Sequence, residues 1–397
     1  KCIRECEFAK RKLQKPADVK VYNLGEAVNS RFEEYAPSIS SKANLLVFTS
    51  RRENTTSPND RKGKHIFEEG DYKFYEDIYV SKLDSLSNWE DCTNKLGDIN
   101  TTENDGVLSI SPDNSGVFVY KYDLQGGGDI YFSKALPNFK WAKPEALPKN
   151  INTSFFEGST SLTADGNKMY FVSDRLGGLG SCDIYYSEKK GGMWSNPMNL
   201  GEIVNTDGDE KFVFIHPNGR TLFFASNGHL GMGSYDIFRT ELVNEVWTKP
   251  INLGYPINSV NEESTFSLTA DNKTMYISAE YTQVSDNGVA NYGERDIYKI
   301  DISNYPLMAE GYDKLTHGQL ICYLKEANSG EAMKGVQIIV ESLEDGEITE
   351  AFTDKSGMAR INLRSQATYK VTAKKGDKIF SEEITLIEKV QNWEIRL

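Results

Sequence analysis

Basic residues are scarce in this chain of 397 residues: 45 Lys and Arg stand against 58 Asp and Glu, a net charge of −13. Phosphate backbones are held by clustered Lys and Arg, so this balance excludes a nucleic-acid partner. It fits a soluble protein kept apart from its neighbours by like charge. Long apolar runs are also missing; none approaches the roughly 18 residues that a membrane-spanning helix needs. The opening Lys1-Cys2-Ile3-Arg4-Glu5-Cys6 has no signal-peptide pattern. Because the chain does not open with Met, it reads as a processed or excised piece of something longer. His65, His216, His229 and His317 are the four His, far apart and without metal-ligand spacing. Five Cys cannot all pair internally. Cys2 and Cys6 share one face of a helical turn, where a mutual disulfide would be strained. The cysteines leave the redox compartment undecided.

The usual marks of a reactive centre are missing too. There is no Gly-x-Ser-x-Gly elbow, and no Cys has an evident His partner. Gly126-Gly127-Gly128 and Gly177-Gly178-Leu179-Gly180 precede strands, with no helix start and no Lys-Ser/Thr after them. That excludes a phosphate loop, and hairpin turns explain them better. Asp207-Gly208-Asp209-Glu210 lacks the spacing of a twelve-residue calcium loop. No catalytic residue, cofactor or metal is expected.

What is abundant is aromatic side chains and glycine: Tyr 21, Phe 19 and Gly 32, a composition of strands and turns. It is also repetitive. Asp-Ile-aromatic recurs at Asp77-Ile78-Tyr79, Asp129-Ile130-Tyr131, Asp183-Ile184-Tyr185, Asp236-Ile237-Phe238 and Asp296-Ile297-Tyr298, at intervals of 52, 54, 53 and 60 residues. Aliphatic-Asn recurs at Val28-Asn29, Ile99-Asn100, Ile151-Asn152, Val204-Asn205 and Ile257-Asn258. Five residues after each Asn stands an acid: Glu34, Asp105, Glu157, Glu210 and Glu263. Thirteen after it stands a turn position: Lys42, Asp113, Asp165, Asn218 and Asp271. Insertions fall elsewhere, chiefly in 51–75 and 281–293, as surface loops do.

One unit shows what each repeat builds. Residues 211–215 alternate around Phe212 and Phe214, His216-Pro217-Asn218-Gly219 turns, and 221–226 is a second apolar run. A Gly-rich loop, a third run (235–242) and a fourth (246–253, with Trp247) follow. Four short strands per unit predict antiparallel blades, and blades around an axis form a propeller that protects its edges by closing on itself. Trp89, Trp141, Trp194 and Trp247 mark a fourth strand in four units, and the fifth unit has none. The missing strand is expected at 20–24, ahead of the first repeat, so that it clasps the ring.

The predicted fold is thus all-β: a five-bladed β-propeller over 17–307, closed by strand 20–24 pairing with the last blade. A short N-terminal helix (1–16) reads as the stub of a preceding helical region. A linker (308–316) leads to a small β-sandwich (317–397) with its own alternation and turns.

These units resemble the TolB-type, WD-repeat-like propeller. The fullest copy runs from Asn205 through Glu210 and His216-Pro217-Asn218-Gly219 to Ser226-Asn227-Gly228-His229-Leu230-Gly231-Met232-Gly233 and Asp236-Ile237-Phe238. The C-terminal part resembles the carboxypeptidase regulatory-like domain, a transthyretin-like sandwich. Its matching stretches are Gly335-Val336-Gln337-Ile338, Thr353-Asp354-Lys355-Ser356-Gly357 and Tyr369-Lys370-Val371-Thr372-Ala373. The order, with a helix ahead, resembles PorE-type lipoproteins of the Bacteroidetes type IX secretion system, which add a tetratricopeptide region and an OmpA-like peptidoglycan-binding domain. The resemblance implies a periplasmic, outer-membrane-associated scaffold whose partners are proteins of a secretion or gliding complex. Peptidoglycan binding and lipid anchoring would belong to the parent's OmpA-like domain and anchor, which the sequence does not contain.

Two groups of residues are candidates for function. The first is a ring of channel carboxylates, Glu34, Asp105, Glu157, Glu210 and Glu263. Five-bladed glycosidases set two acids across a sugar, so a glycan-binding protein or glycosidase using these carboxylates is the alternative to a scaffold. Catalysis needs two acids in unlike environments, whereas five equivalent ones point to a repeated structural task such as accepting N–H bonds between blades. The repeated Asp of Asp-Ile-aromatic reads as a cap on turn amides. The second group is Arg51, Arg52, Arg61, Lys62, Lys64 and His65 in the long 51–75 insertion: either a solvated loop or a docking loop for an acidic partner.

Overall fold

A computed structural model describes residues 2–52, 66–68, 71–73, 75–101, 103–122, 127–281, 288, 291–308, 317–343, 346, 348–364, 367–387 and 390–397. The chain divides into two compact units, Lys15–Met308 and Lys1–Gln14 with Ala309–Leu397. Both are built of strands.

Among the described residues of Lys15–Met308, five antiparallel sheets follow one another in sequence, beside a two-stranded hairpin of Ile66–Glu68 and Asp71–Lys73. The first is Glu34–Ile39, Leu45–Ser50 and Asp77–Lys82. The second is Asp105–Ile110, Gly116–Tyr122, Gly128–Leu136 and Lys140–Trp141, and the third is Glu157–Leu162, Lys168–Ser173, Asp183–Lys190 and Met193–Trp194. The fourth is Glu210–Ile215, Thr221–Ser226, Asp236–Val243 and Val246–Trp247. In the fifth, Thr265–Leu268, Thr274–Ala279 and Asp296–Asp301 are joined by Lys20–Asn23 from the start of the chain, with Val21 opposite Ile300.

The fourth strand differs from the expected single run. It breaks after the Trp of Trp141-Ala142-Lys143-Pro144, Trp194-Ser195-Asn196-Pro197 and Trp247-Thr248-Lys249-Pro250, and pairing resumes in two-residue pieces such as Ile251–Asn252. Proline has no N–H for the ladder, so the outermost strand is cut where Pro falls. The second strands pair with the third without a register shift and bury most of their residues: all six of Thr221–Ser226 are buried.

In the second unit, Ile348–Phe352, Gln337–Ser342, Ala367–Lys375 and Lys378–Leu386 form one sheet. Met358–Arg364, His317–Lys325 and Val390–Arg396 form another, in which the last pair is parallel. Their apolar faces share one core that includes Leu320, Ile338, Val371 and Trp393. The helix Cys2–Gln14 groups with these sheets and not with the first unit, and it buries Phe8. No described helix is long and apolar enough to cross a membrane.

Candidate functional site

Each repeat marker makes a defined set of bonds. The Asn of aliphatic-Asn reaches back to the preceding sheet and takes both backbone groups of the Ile in Asp-Ile-aromatic. Asn152 Oδ1 accepts from Ile130 N at 3.1 Å while its Nδ2 donates to Ile130 O at 2.9 Å. Asn100 does this to Ile78, Asn205 to Ile184 and Asn258 to Ile237. Asn29 does it to Ile297, 268 residues away, which ties the fifth sheet to the first. Buried backbone groups must be paired, and here a side chain pairs them across a seam between sheets.

The Asp of the same motif holds the loop before it. Asp183 accepts from Leu179 N and Gly180 N, and Asp296 from Tyr292 N and Gly293 N. Asn199 donates to Asp183, and Asn23 of the N-terminal strand donates equivalently to Asp296 at 2.7 Å. The opening segment therefore supplies the fifth sheet with the bonds a fourth strand supplies elsewhere. Glycine is required in these loops because the next sheet's backbone passes through the space of a side chain. A Cβ on Gly233 would lie 2.0 Å from Asn261 O, and one on Gly293 would lie 2.5 Å from Phe32 O.

The five acids stand at or just before the start of each sheet's first strand and are almost wholly buried. The bonds made by the expected channel ring are local. Each carboxylate turns to the loop four residues back, where a Ser or Thr follows the Asn and offers two donors. Glu157 accepts from Thr153 N (2.7 Å) and Oγ1 (2.7 Å), Glu210 from Thr206, Glu263 from Ser259, Glu34 from Ser30 and Asp105 from Thr101. A hydroxyl sixteen residues on adds a bond in three sheets: Ser50, Ser173 and Ser226. The acids are loop clamps within their own sheets. The hydroxyl after every Asn was the sequence signal for this, and spacing of the acids alone did not reveal it.

Their electrostatics differ. Arg52 and Arg175, each eighteen residues after its acid, donate to Glu34 (2.8 Å) and Glu157 (3.1 Å). They also donate to Val28 O and Ile151 O and lie over aromatic pairs, Phe48 with Tyr79 and Phe171 with Tyr185. Lys121 pairs with Asp105. In the fourth sheet the aromatic slot is filled by His229, whose Nε2 bonds Val204 O and whose ring packs on Phe224 and Phe238. Burial pushes the Glu210 carboxyl up to about 7, against hydrogen bonds from Ser226 and Thr206. Burial does the same to Glu263, also to about 7. Burial raises Glu34 too, with Arg52 opposing it.

Two of the six docking-loop candidates are described. Arg52 is spent on Glu34, Ser50, Val28 O and Cys92, and Arg51 pairs with Glu76 and Glu33. Arg61, Lys62, Lys64 and His65 lie outside the described residues.

An axial cavity of about 190 Å³ is lined by the far ends of all five first strands and by the turns after them. Its walls are Ser, Thr, Pro, Ala and larger apolar residues, including Ser38, Ser109, Ser161, Phe214 and Ser267 at equivalent positions, and none of the five acids reaches it. Among the described residues no group of three or more His, Cys, Asp and Glu could hold a metal ion.

No protein-family model matches the chain, and no curated protein matches it. Among solved structures it is similar to a putative TolB from Agrobacterium tumefaciens at 12% identity and a TM-score of 0.39, over 88% of this chain and 89% of that one. It is similar to TolB from Acinetobacter baumannii at 16% and 0.34, over 74% and 60%. It is also similar to an α-L-arabinofuranosidase from Lactobacillus brevis at 13% and 0.42, over 70% and 92%.

Proposed function

We propose that this chain is a non-enzymatic scaffold whose faces bind other proteins. In this reading Lys15–Met308 is a five-bladed, TolB-like propeller and 317–397 a transthyretin-like, carboxypeptidase regulatory-like sandwich. Together they form part of a PorE-type lipoprotein in the periplasm, at the outer membrane, joining a type IX secretion or gliding assembly to the cell wall through domains of the parent. The seam bonds support it most directly. The repeated Asn and acid of every unit, and the Asp of the third, fourth and fifth, are committed to holding one sheet to the next or a loop to its sheet, and Asn29 extends this around to Ile297. Such a ring presents broad faces and loops on a stiff frame, which suits recognition of other proteins.

The test is capture from envelope extract with the immobilised chain, together with deletion of the parent gene. Enrichment of an outer-membrane secretion or gliding component, and loss of secretion on deletion, is the expected result. Capture of no envelope assembly with secretion intact would overturn it. A glycosidase using Glu157 and Glu210 is the competing reading. It predicts that E157Q or E210Q abolishes turnover of a polysaccharide while the fold survives.

A further inference from the structure

The axial cavity is a place where the repeat is broken and where polar groups are left over. Four of the five first strands put Ser four residues after the acid, and all four line the cavity. Two of them serve the ring: Ser38 Oγ accepts Ile110 N at 2.9 Å and Ser161 Oγ accepts Ile215 N at 3.0 Å, each from the next sheet. The other two, Ser109 and Ser267, have buried hydroxyls with no hydrogen-bond partner among the described residues, and Ser267 is only 4% exposed. A buried hydroxyl without a partner is costly, so these two, on the second and fifth sheets, mark a place where something else supplies the bonds.

The fourth unit carries Phe214 at this position. It packs on Phe266 (ring centroids 6.5 Å), which packs on Phe212 (5.0 Å); those two rings are buried in the core between the fourth and fifth sheets, and of the three Phe214 alone is partly exposed. The cavity lining holds no charged side chain. Its mouth lies among exposed turn residues, Ser41, Ala164, Pro217 and Ala270. Asp113, Asp165 and Asp271 stand next in sequence to lining residues of that mouth. Turn hydrogen bonds, led by Ser115 N for the first, Thr163 Oγ1 for the second and Thr269 Oγ1 for the third, hold their carboxyls below the usual range. Lys42, beside Ser41 at the same turn position, offsets one of these three charges, so the approach stays negative and disfavours anions.

From the unpartnered Ser109 and Ser267 hydroxyls that line the cavity together with the partly exposed Phe214 ring, we infer that the axial cavity binds one neutral sugar ring. Hydroxyls on the ring's polar edge complete the serine bonds, and its C–H face lies on Phe214. The space equals that of roughly six waters, enough for a single ring and too small for an oligosaccharide. The ring comes either free or as the terminus of a neutral glycan entering at the turn end. This inference does not rest on the scaffold reading, since a protein that binds partners on its faces can still hold a sugar on its axis.

The test uses the full chain and ligand-observed saturation-transfer NMR with four probes: neutral monosaccharides, a neutral oligosaccharide, glucuronate and a short neutral peptide. A neutral sugar is expected to bind saturably and glucuronate at least tenfold more weakly. S109A and S267A should each weaken binding about three- to tenfold, with the melting temperature held as a check on folding. A free ring binding alone points to a monosaccharide source, and an oligosaccharide binding through its terminal residue alone points to a glycan end. Amide shifts of wild-type Ser109, Phe214 and Ser267 during titration locate the site without any substitution. Binding by no neutral sugar, preference for the peptide, or shifts that leave these three residues unmoved would each overturn the inference.

Discussion

Replacing Glu210 with Gln should change how stability depends on pH, in a direction opposite to that of most carboxylates. Glu210 is fully buried, with three donors and no ion-pair partner in the described structure, and burial moves its pKa from 4.5 to about 7. Below about pH 4.5 the group is protonated whether the chain is folded or not, and the stability it contributes is fully present. As pH rises toward 7, the unfolded chain releases the proton while the folded one retains it, and that stability is lost. A shift of roughly 2.5 pH units at about 1.36 kcal/mol each gives about 3 kcal/mol for this one residue. The stability of the wild type minus that of E210Q should therefore fall by about 3 kcal/mol between pH 4.5 and 7.5. Subtracting the variant cancels every other titrating group. The assay is urea unfolding followed by tryptophan fluorescence, with the first unit reported by Trp89, Trp141, Trp194 and Trp247. Parallel pH profiles for wild type and E210Q would refute the reasoning. E157Q is the control: it leaves Arg175 beside a neutral amide in a buried site and should cost about 3 kcal/mol or more at pH 7.

Three further outcomes follow from the seams and the second core. N29A removes both bonds to the backbone of Ile297 and should lower stability by about 2–4 kcal/mol in the same unfolding assay. It should also speed hydrogen exchange at 20–23 and 296–301 more than elsewhere. G233A sets a Cβ against Asn261 O and should destabilise by at least about 2 kcal/mol, whereas G219A meets no neighbour and bears only the strain of its φ of +68°, about 1 kcal/mol; comparable melting temperatures for the two would count against the close approach. In the sandwich, the Tyr369 hydroxyl both donates to Arg364 O and accepts from Arg364 N, so Y369F should cost about 1–2 kcal/mol, read by the fluorescence of Trp393.

The all-β character and the recurrence of its sheets were legible in the sequence because local chemistry produces them. Alternation sets the strands, Gly and Asn-Gly set the turns, and Asp-Ile-aromatic recurs wherever a third strand starts. Five acids at one spacing likewise had to occupy one kind of place. Where they point was a tertiary matter. Glu157 turns toward Thr153 and Ser173 because those donors lie in a loop and a neighbouring strand that only the folded sheet brings together, so the axis receives the serines four residues on. Arg52 looked like part of a basic insertion, but eighteen residues of strand and turn return it to Glu34. The seam was equally hidden: Asn29 and Ile297 are far apart in the chain and meet only because the last sheet comes round to the first. Sequence periodicity decides what each unit is, since strand and turn preferences act over a few residues. Side-chain direction and what lines the cavity depend on contacts between units, and those exist only in the folded whole.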